Sequence, residues 1–457
     1  MEDKAKRDEV RFAGIEVPPG LTRNNFFFLF FNTFLIGMLM SVLSILQPPF
    51  LKDIININQD FAGSINALLM NLNEIATLAL VALVGVISDR MGRKKLAIAG
   101  FAILAVFYYL LSFANGIASF LHIPAEAASR ICALLSFVPS RSAEFMDYAP
   151  GLLTTYIIRL FIGIGLVLCY PQFITMVADY TYEKDRGKGM AMNGVMMGLS
   201  SLLTFALLAP LLARSGVITL MYIITFIGLS AVLFTGIFLK DRLPDVPEGK
   251  VGLVKIIPVV RKSLPLKVSY WCTLVTRADI VILATFVMTW GVKYGKEIGL
   301  AAQEAIFRAS VPMMVMSVAA LVSFPVAGIM LDKWGRVPTI ILALFSGALA
   351  MLLLAVSPTP FSPLVIVGMV CASFGMAGAI TGANTLASDA SPRGMVGAIL
   401  GGLNTMQPVG ILFFVGLGGY LFDTFGPGFA FGVKGMSSLV LALWIFVIRG
   451  KIRITSA

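Results

Sequence analysis

A ten-residue signature that occurs twice constrains this chain more than any other feature. Gly85-Val86-Ile87-Ser88-Asp89-Arg90-Met91-Gly92-Arg93-Lys94 returns as Gly328-Ile329-Met330-Leu331-Asp332-Lys333-Trp334-Gly335-Arg336-Val337, each copy where a long apolar run ends. A Gly-x-x-x-Asp-[Arg/Lys]-x-Gly-Arg match at two such places marks an internal duplication in a membrane chain and narrows function to solute movement.

With 58% hydrophobic and 13% charged residues among 457, the composition is that of a membrane protein. Spanning takes about 20 apolar residues, and twelve such runs are readable, at 25–47, 61–87, 96–114, 152–178, 189–213, 216–239, 268–292, 309–331, 337–356, 362–388, 394–421 and 429–448. The bilayer core holds no water to satisfy backbone groups, and the alternation of barrel strands is absent, so these runs are helices. Residues 1–24 have neither the apolar core nor the small-residue cleavage site of a signal peptide and read as a cytoplasmic tail. With that tail inside, most of the 35 Lys and Arg fall on the cytoplasmic side, and Arg159 and Arg277 lie within spans. This asymmetry predicts a multi-pass protein of the cytoplasmic (inner) membrane with both termini inside.

The net charge of +11 is therefore a topology signal, and nucleic acid is not an expected partner because no soluble basic domain exists. The four cysteines are scattered without metal spacing, and the single His122 lies in a loop, which argues against metal sites and Ser-His-Asp catalysis. No metal, cofactor or enzymatic activity is expected. No ATP-binding loop appears, so energy should come from an ion gradient.

The two signatures are 243 residues apart, Asp89 to Asp332, whereas a second echo, Asp185-Arg186-Gly187 and Pro392-Arg393-Gly394, is 207 apart. The difference places an insertion in the first half, and the loop 115–151 supplies it against the short loop 357–361. The expected organisation is a first six-helix bundle at 25–239 containing that extracytoplasmic insertion, a cytoplasmic linker at 240–267, a second six-helix bundle at 268–448, and a cytoplasmic tail at 449–457. Within the insertion, Ala125 to Leu135 has helix-forming composition, read as an amphipathic helix on the membrane face or capping the bundle, with a partner-binding or substrate-guiding role as the alternative.

This six-plus-six arrangement, with the signature after spans two and eight, resembles the major facilitator superfamily from Asn25 to Ile448. The resemblance implies an all-α fold of two pseudo-symmetric bundles, a central solute cavity and alternating access by rocking. Gly85, Asp89, Arg90, Gly92 and Arg93, with Gly328, Asp332, Lys333, Gly335 and Arg336, are then expected to form a cytoplasmic gate. Gly85 and Gly328 permit close helix approach. Asp89 and Asp332 suit the positive ends of other helices. Ser391-Pro392 reads as the N-cap and first residue of span eleven and Asp185 as the cap of span five, so Asp89 would dock on span eleven and Asp332 on span five. Arg90, Arg93, Lys94, Lys95 and Arg336 are expected to anchor loops at the phospholipid surface; alternatively the signature charges only fix topology. The Gly-Pro-x-x-Gly-Gly run of drug/proton exchangers is missing from span five and the Pro-Glu-Ser-Pro-Arg run of sugar porters after span six, which weakens both assignments.

Ionisable groups inside spans are costly and by default functional. Glu74 is 13 residues into span two, roughly 20 Å along it at about 1.5 Å per residue, with Asn66, Asn73 and Thr77 on a neighbouring stripe. A carboxylate at that depth can alternate between charged and neutral forms, as proton coupling needs; solute contact or a static pairing are the alternatives. Asp279, near the middle of span seven, is the second coupling candidate. Arg159 begins an Arg-x-x-x-Gly-x-Gly pattern resembling the superfamily's fourth helix, with Tyr170 on the same face, and either binds an anion, tunes a carboxylate or makes a structural pair. Arg277 and Asp279 project about 200° apart and cannot pair on their own helix; Arg277 holds an anionic solute or pairs elsewhere. Asn32, Asn193, Ser200, Thr204, Asn384, Asn404 and Gln407 could complete a solvated pocket, although interhelical hydrogen bonding is the commoner role of such residues; Asn73 is a further substrate or counter-charge candidate.

The expected function is a secondary active transporter, a proton-coupled symporter moving a small organic solute of anionic character. The alternative is a proton-driven exporter of amphipathic compounds, drugs or lipids. The expected partners are the small-molecule substrate, protons or sodium in their place, and the phospholipid bilayer, with the chain acting as a monomer.

Overall fold

A computed structural model describes residues 10–182, 185–242, 253–392 and 395–452. Within them twelve helices are long and apolar enough to cross a membrane: Arg23–Ile55, Gln59–Val81, Arg93–Leu111, Ala149–Tyr180, Arg186–Ser215, Val217–Phe238, Leu264–Glu297, Glu304–Lys333, Arg336–Ala355, Pro363–Asp389, Val396–Phe425 and Pro427–Lys451. They are called spans one to twelve here. They form two pseudo-symmetric six-helix bundles, and the protein is a multi-pass integral membrane protein.

Several spans, among them one, four, five, seven, eight and eleven, run a few residues beyond their apolar runs. Span one carries Pro48 and Pro49 inside the helix and continues through a wide turn at Leu51–Ile55. Span two continues as helix to Met91. Span seven begins at Leu264 and breaks at Arg277, where the helix Leu264–Thr276 gives way to Ala278–Glu297. The linker stretch 243–252 lies outside the described residues, but the segment after it forms a helix, Leu253–Lys262, whose Ile256 packs with Leu266, Ile399 and Leu403 at the foot of span eleven. The insertion contains helices Ala114–Phe120 and Ala125–Leu135, the second burying Ala128, Cys132 and Ala133.

Among the described residues the bundles meet chiefly where span two packs on spans eleven and seven, span one on span seven, and span five on span eight. At the insertion end these seams are closed. Gly419 lies against Ala67, Asn71 Nδ2 donates to Leu412 O at 3.2 Å, and Ser201 and Ser317 hydroxyls meet at 3.2 Å. Toward the signature end a Cβ at Gly85, Gly194, Gly328, Gly397 or Gly401 would meet nothing within 4 Å, so no neighbouring helix packs at these points in this conformation.

Candidate functional site

The signature has a different local role from the one its charges imply. Gly92 and Gly335 adopt φ of +99° and +91°, a left-handed geometry that favours glycine and turns the chain sharply into spans three and nine. The arginine that follows is thereby folded back under its own bundle instead of reaching the lipid surface. Arg93 is buried, its Nε donating to Asp179 Oδ2 at 3.1 Å and its Nη1 to Ser88 Oγ at 2.7 Å. Arg336 repeats this, donating to Asp389 Oδ2 at 2.9 Å and Leu331 O at 2.8 Å. The expected surface anchoring of Arg93 and Arg336 is corrected accordingly; each braces the end of span four or span ten. Arg90 and Lys333 remain exposed.

The expected docking of Asp332 on span five is absent in this conformation. Asp332 is 83% exposed and only 3.6 Å from Arg336 Nη1. Asp185 does not cap span five with its side chain; its carboxylate accepts from Glu16 N at 3.0 Å and Lys188 Nζ at 2.7 Å, where a small hairpin, Arg11–Phe12 with Ile15–Glu16, packs under the first bundle. Ser391 is likewise no N-cap, because its hydroxyl donates back to Ala387 O at 2.6 Å and span eleven starts at Val396. The Asp89 side chain, Arg393 and Gly394 lie outside the described residues.

In the first bundle, Arg159 is 2% exposed. Its Nη1 donates to Asn73 Oδ1 at 3.1 Å, and its Nη2 approaches Gln47 Oε1 at 3.3 Å and Met70 Sδ at 3.5 Å. Gln47 is held in turn by Asn66, its Nε2 donating to Asn66 Oδ1 at 2.8 Å. Among the described residues no carboxylate meets this guanidinium, and its Nε has no hydrogen-bond partner. The polar stripe of span two therefore serves the interior of its own bundle. Asn193 is also used within the bundle, accepting from Thr33 Oγ1 at 3.2 Å.

In the second bundle, Asp279 on span seven pairs with Lys434 on span twelve at 2.5 Å, the two side chains 9% and 1% exposed. Lys434 Nζ also donates to Ser438 Oγ at 3.0 Å. Lys434 was absent from the sequence-derived candidates because, only a few residues from the start of its span, it reads as a loop charge. Its signal was a lysine flanked by apolar residues and glycines at helical spacing from Phe431 and Ser438.

Arg277, at the break in span seven, is partly buried, and its charge acts on the Tyr170 hydroxyl of span four, in the other half of the molecule. The Arg277 Nε has no hydrogen-bond partner among the described residues. Glu74 is partly buried, three residues beyond Asn71, which meets span eleven, and it makes no hydrogen bond or ion pair among the described residues. Asn384 and Gln407 are partly buried and Asn404 exposed, all on helices of the second half. A second residue also escaped the sequence reading: Asp423, two residues beyond the last apolar residue assigned to span eleven, accepts from Gly63 N and Ser64 N of span two, both at 2.7 Å.

The architecture and paired signatures agree with the comparisons. The family description Major Facilitator Superfamily matches residues 29–356 and 281–454, and the chain belongs to that superfamily of transporters. It is similar to the magnetosome protein MamH of Paramagnetospirillum magneticum, with 26% identity over 89% of this chain and 88% of that one. It is also similar to the magnetosome protein MamZ of Magnetospirillum gryphiswaldense, with 25% identity over 90% of this chain but only 60% of MamZ. Among solved structures, a mutant of the nucleoside transporter NupG superposes with a TM-score of 0.72 at 13% identity, covering 93% of this chain and 99% of that one. A peptide transporter, POT, in complex with sulfate gives 0.69 at 13% identity over 98% of each chain. These last two likenesses concern the fold.

Proposed function

We propose that this superfamily member is a proton-coupled secondary transporter that moves a small organic solute of anionic character by alternating access. The observation that carries this reading is Arg277: it sits partly buried at a helix break, its Nε has no hydrogen-bond partner, and no carboxylate pairs with it among the described residues. A guanidinium so placed is a permanent cation with a planar donor fork, suited to a carboxylate or phosphate group. Glu74, unpartnered among the described residues, and Asp279, paired with Lys434, are the groups that would take up and release the proton. Asn384, Asn404 and Gln407 supply neutral polar contacts for the rest of the solute.

The lysine and arginine distribution supports cytoplasmic termini, which makes the open signature end the cytoplasmic one. The likeness to MamH along nearly the whole of both chains supports a magnetosome membrane as the site of action. The test is pH-driven uptake by proteoliposomes across a panel of small anions and neutral analogues, comparing the natural chain with Arg277→Gln, Glu74→Gln and Asp279→Asn. The expected result is loss of affinity for anions in Arg277→Gln and loss of proton-driven accumulation in at least one carboxamide variant. Unchanged anion affinity in Arg277→Gln would overturn the substrate reading.

A further inference from the structure

Span two opens with a short 3-10 turn, Gln59–Phe61, capped by Asn58 Oδ1, which accepts from Asp60 N at 3.0 Å, but the α-helix that follows from Ala62 has no cap of its own: Phe61 stands at its N-cap position with no side-chain bond, and its first turn contains no acidic residue. The opening N–H groups of a helix need acceptors, and the positive end of the helix dipole favours a carboxylate. The other half of the molecule supplies one. Asp423, near the far end of span eleven, accepts from Gly63 N and Ser64 N, both at 2.7 Å, and from the Ser64 hydroxyl. The fit is close: a Cβ at Gly63 would lie 2.6 Å from Asp423 Oδ1 and 2.9 Å from Gly419 O. Lys293 on span seven adds its charge to the same carboxylate.

Spans two and eleven run antiparallel, so each presents its N-terminus beside the other's C-terminal end. Span two carries Asp89 at its C-terminal end and span eleven carries Asp423 at its own. We propose that Asp423 is the latch of the insertion end, reciprocal to Asp89 at the signature end. Asp423 caps span two only while the insertion end is closed, and the expected docking of Asp89 on span eleven belongs to the conformation closed at the signature end, because rocking that closes one end of the pair parts the other. Asp423 is engaged here, and the opposite end of span two stands clear at Gly85. The inference rests on the alternating-access reading and adds to it the residue that holds the conformation open toward the signature end.

The test uses the full chain in proteoliposomes with Cys371→Ser, the three remaining cysteines being buried. Asn71→Cys, in the closed seam, serves as the reporter for a membrane-impermeant maleimide applied at the insertion end. Losing charge-assisted bonds on one side of the equilibrium should speed labelling about tenfold in Asp423→Asn, and adding Asp89→Asn should reverse most of that gain. Unchanged labelling in Asp423→Asn overturns the latch, and a gain that Asp89→Asn leaves untouched overturns the reciprocity. Should Asp423→Asn fail to fold, Ser64→Ala removes one of the three bonds and should give a smaller gain in the same direction; no gain there overturns the latch equally. Uptake measured on the same vesicles separates the two readings, since transport that persists with unchanged labelling sinks the latch and leaves alternating access standing.

Discussion

The two halves share a scaffold and differ in how they treat a buried charge. In the second, Lys434 and Asp279 neutralise each other at 2.5 Å. In the first, Arg159 is held by two amide oxygens and a thioether, with no carboxylate among the described residues. What the halves keep in common is the framework: each signature ends in an arginine that reaches a carboxylate on its fourth helix, Arg93 to Asp179 and Arg336 to Asp389. The duplication thus preserved the braces while the central charges diverged. A self-neutralised pair needs nothing from outside and can be switched by a proton. An uncompensated guanidinium, in contrast, keeps its positive charge and raises the preference for negative charge in its own surroundings.

The largest test of this contrast is Lys434→Met. It strands a buried carboxylate, and breaking one side of a buried ion pair costs about 3–5 kcal/mol. Replacing both partners, as in Lys434→Met with Asp279→Leu, should return most of that loss, because an apolar pair of similar volume avoids the desolvation of two ions. Thermal unfolding in detergent would show both. A double variant no more stable than the single one would mean that the pair acts through packing, and the comparison of charges would fail.

Arg159→Met should cost less. Its partners are neutral, so the substitution leaves amide oxygens of Gln47 and Asn73 unpaired and strands no ion, for which about 1–3 kcal/mol is the expected loss. The same unfolding measurement ranks it against Lys434→Met. If Arg159→Met proves the more destabilising of the two, a charged partner of Arg159 must exist, and the asymmetry between the bundles disappears.

The fold was legible in the sequence because spanning length, charge asymmetry and a repeated signature each act over tens of residues. The helix Ala125–Leu135 was legible for a related reason, as a run rich in Ala, Leu, Glu and Arg without Gly or Pro between Pro124 and Ser136. The partners of the central charges were not. Lys434 is 155 residues from Asp279, and no local pattern encodes which helix of a bundle a side chain meets. Asp423 reads as an interfacial charge beyond an apolar run, and only the contact with span two gives it meaning. Ser391-Pro392 carried a strong cap signal that failed because span ten extends to Asp389 and claims the Ser391 hydroxyl for its own last turn. The signature arginines misled through their charge, which suggests lipid, whereas the left-handed glycine before each one turns the side chain inward.

The smallest effects separate the two braces from each other. Arg93 and Asp179 side chains are 6% and 12% exposed, Arg336 and Asp389 27% and 33%. Solvent weakens the second pair, and ion pairs open to water contribute about 0–1 kcal/mol. Arg336→Gln should therefore shift unfolding only slightly, while Arg93→Gln, which leaves Asp179 short of a buried partner and frees Ser88 Oγ, should shift it more. If the braces serve the same mechanical purpose in both halves, each variant should also slow exchange between conformations, by loosening the joint between a signature loop and the fourth helix of its bundle. Maleimide labelling at Asn71→Cys would read that exchange. Equal stability losses in the two variants would show that burial does not distinguish the braces, and that the second half is as tightly held at its signature as the first.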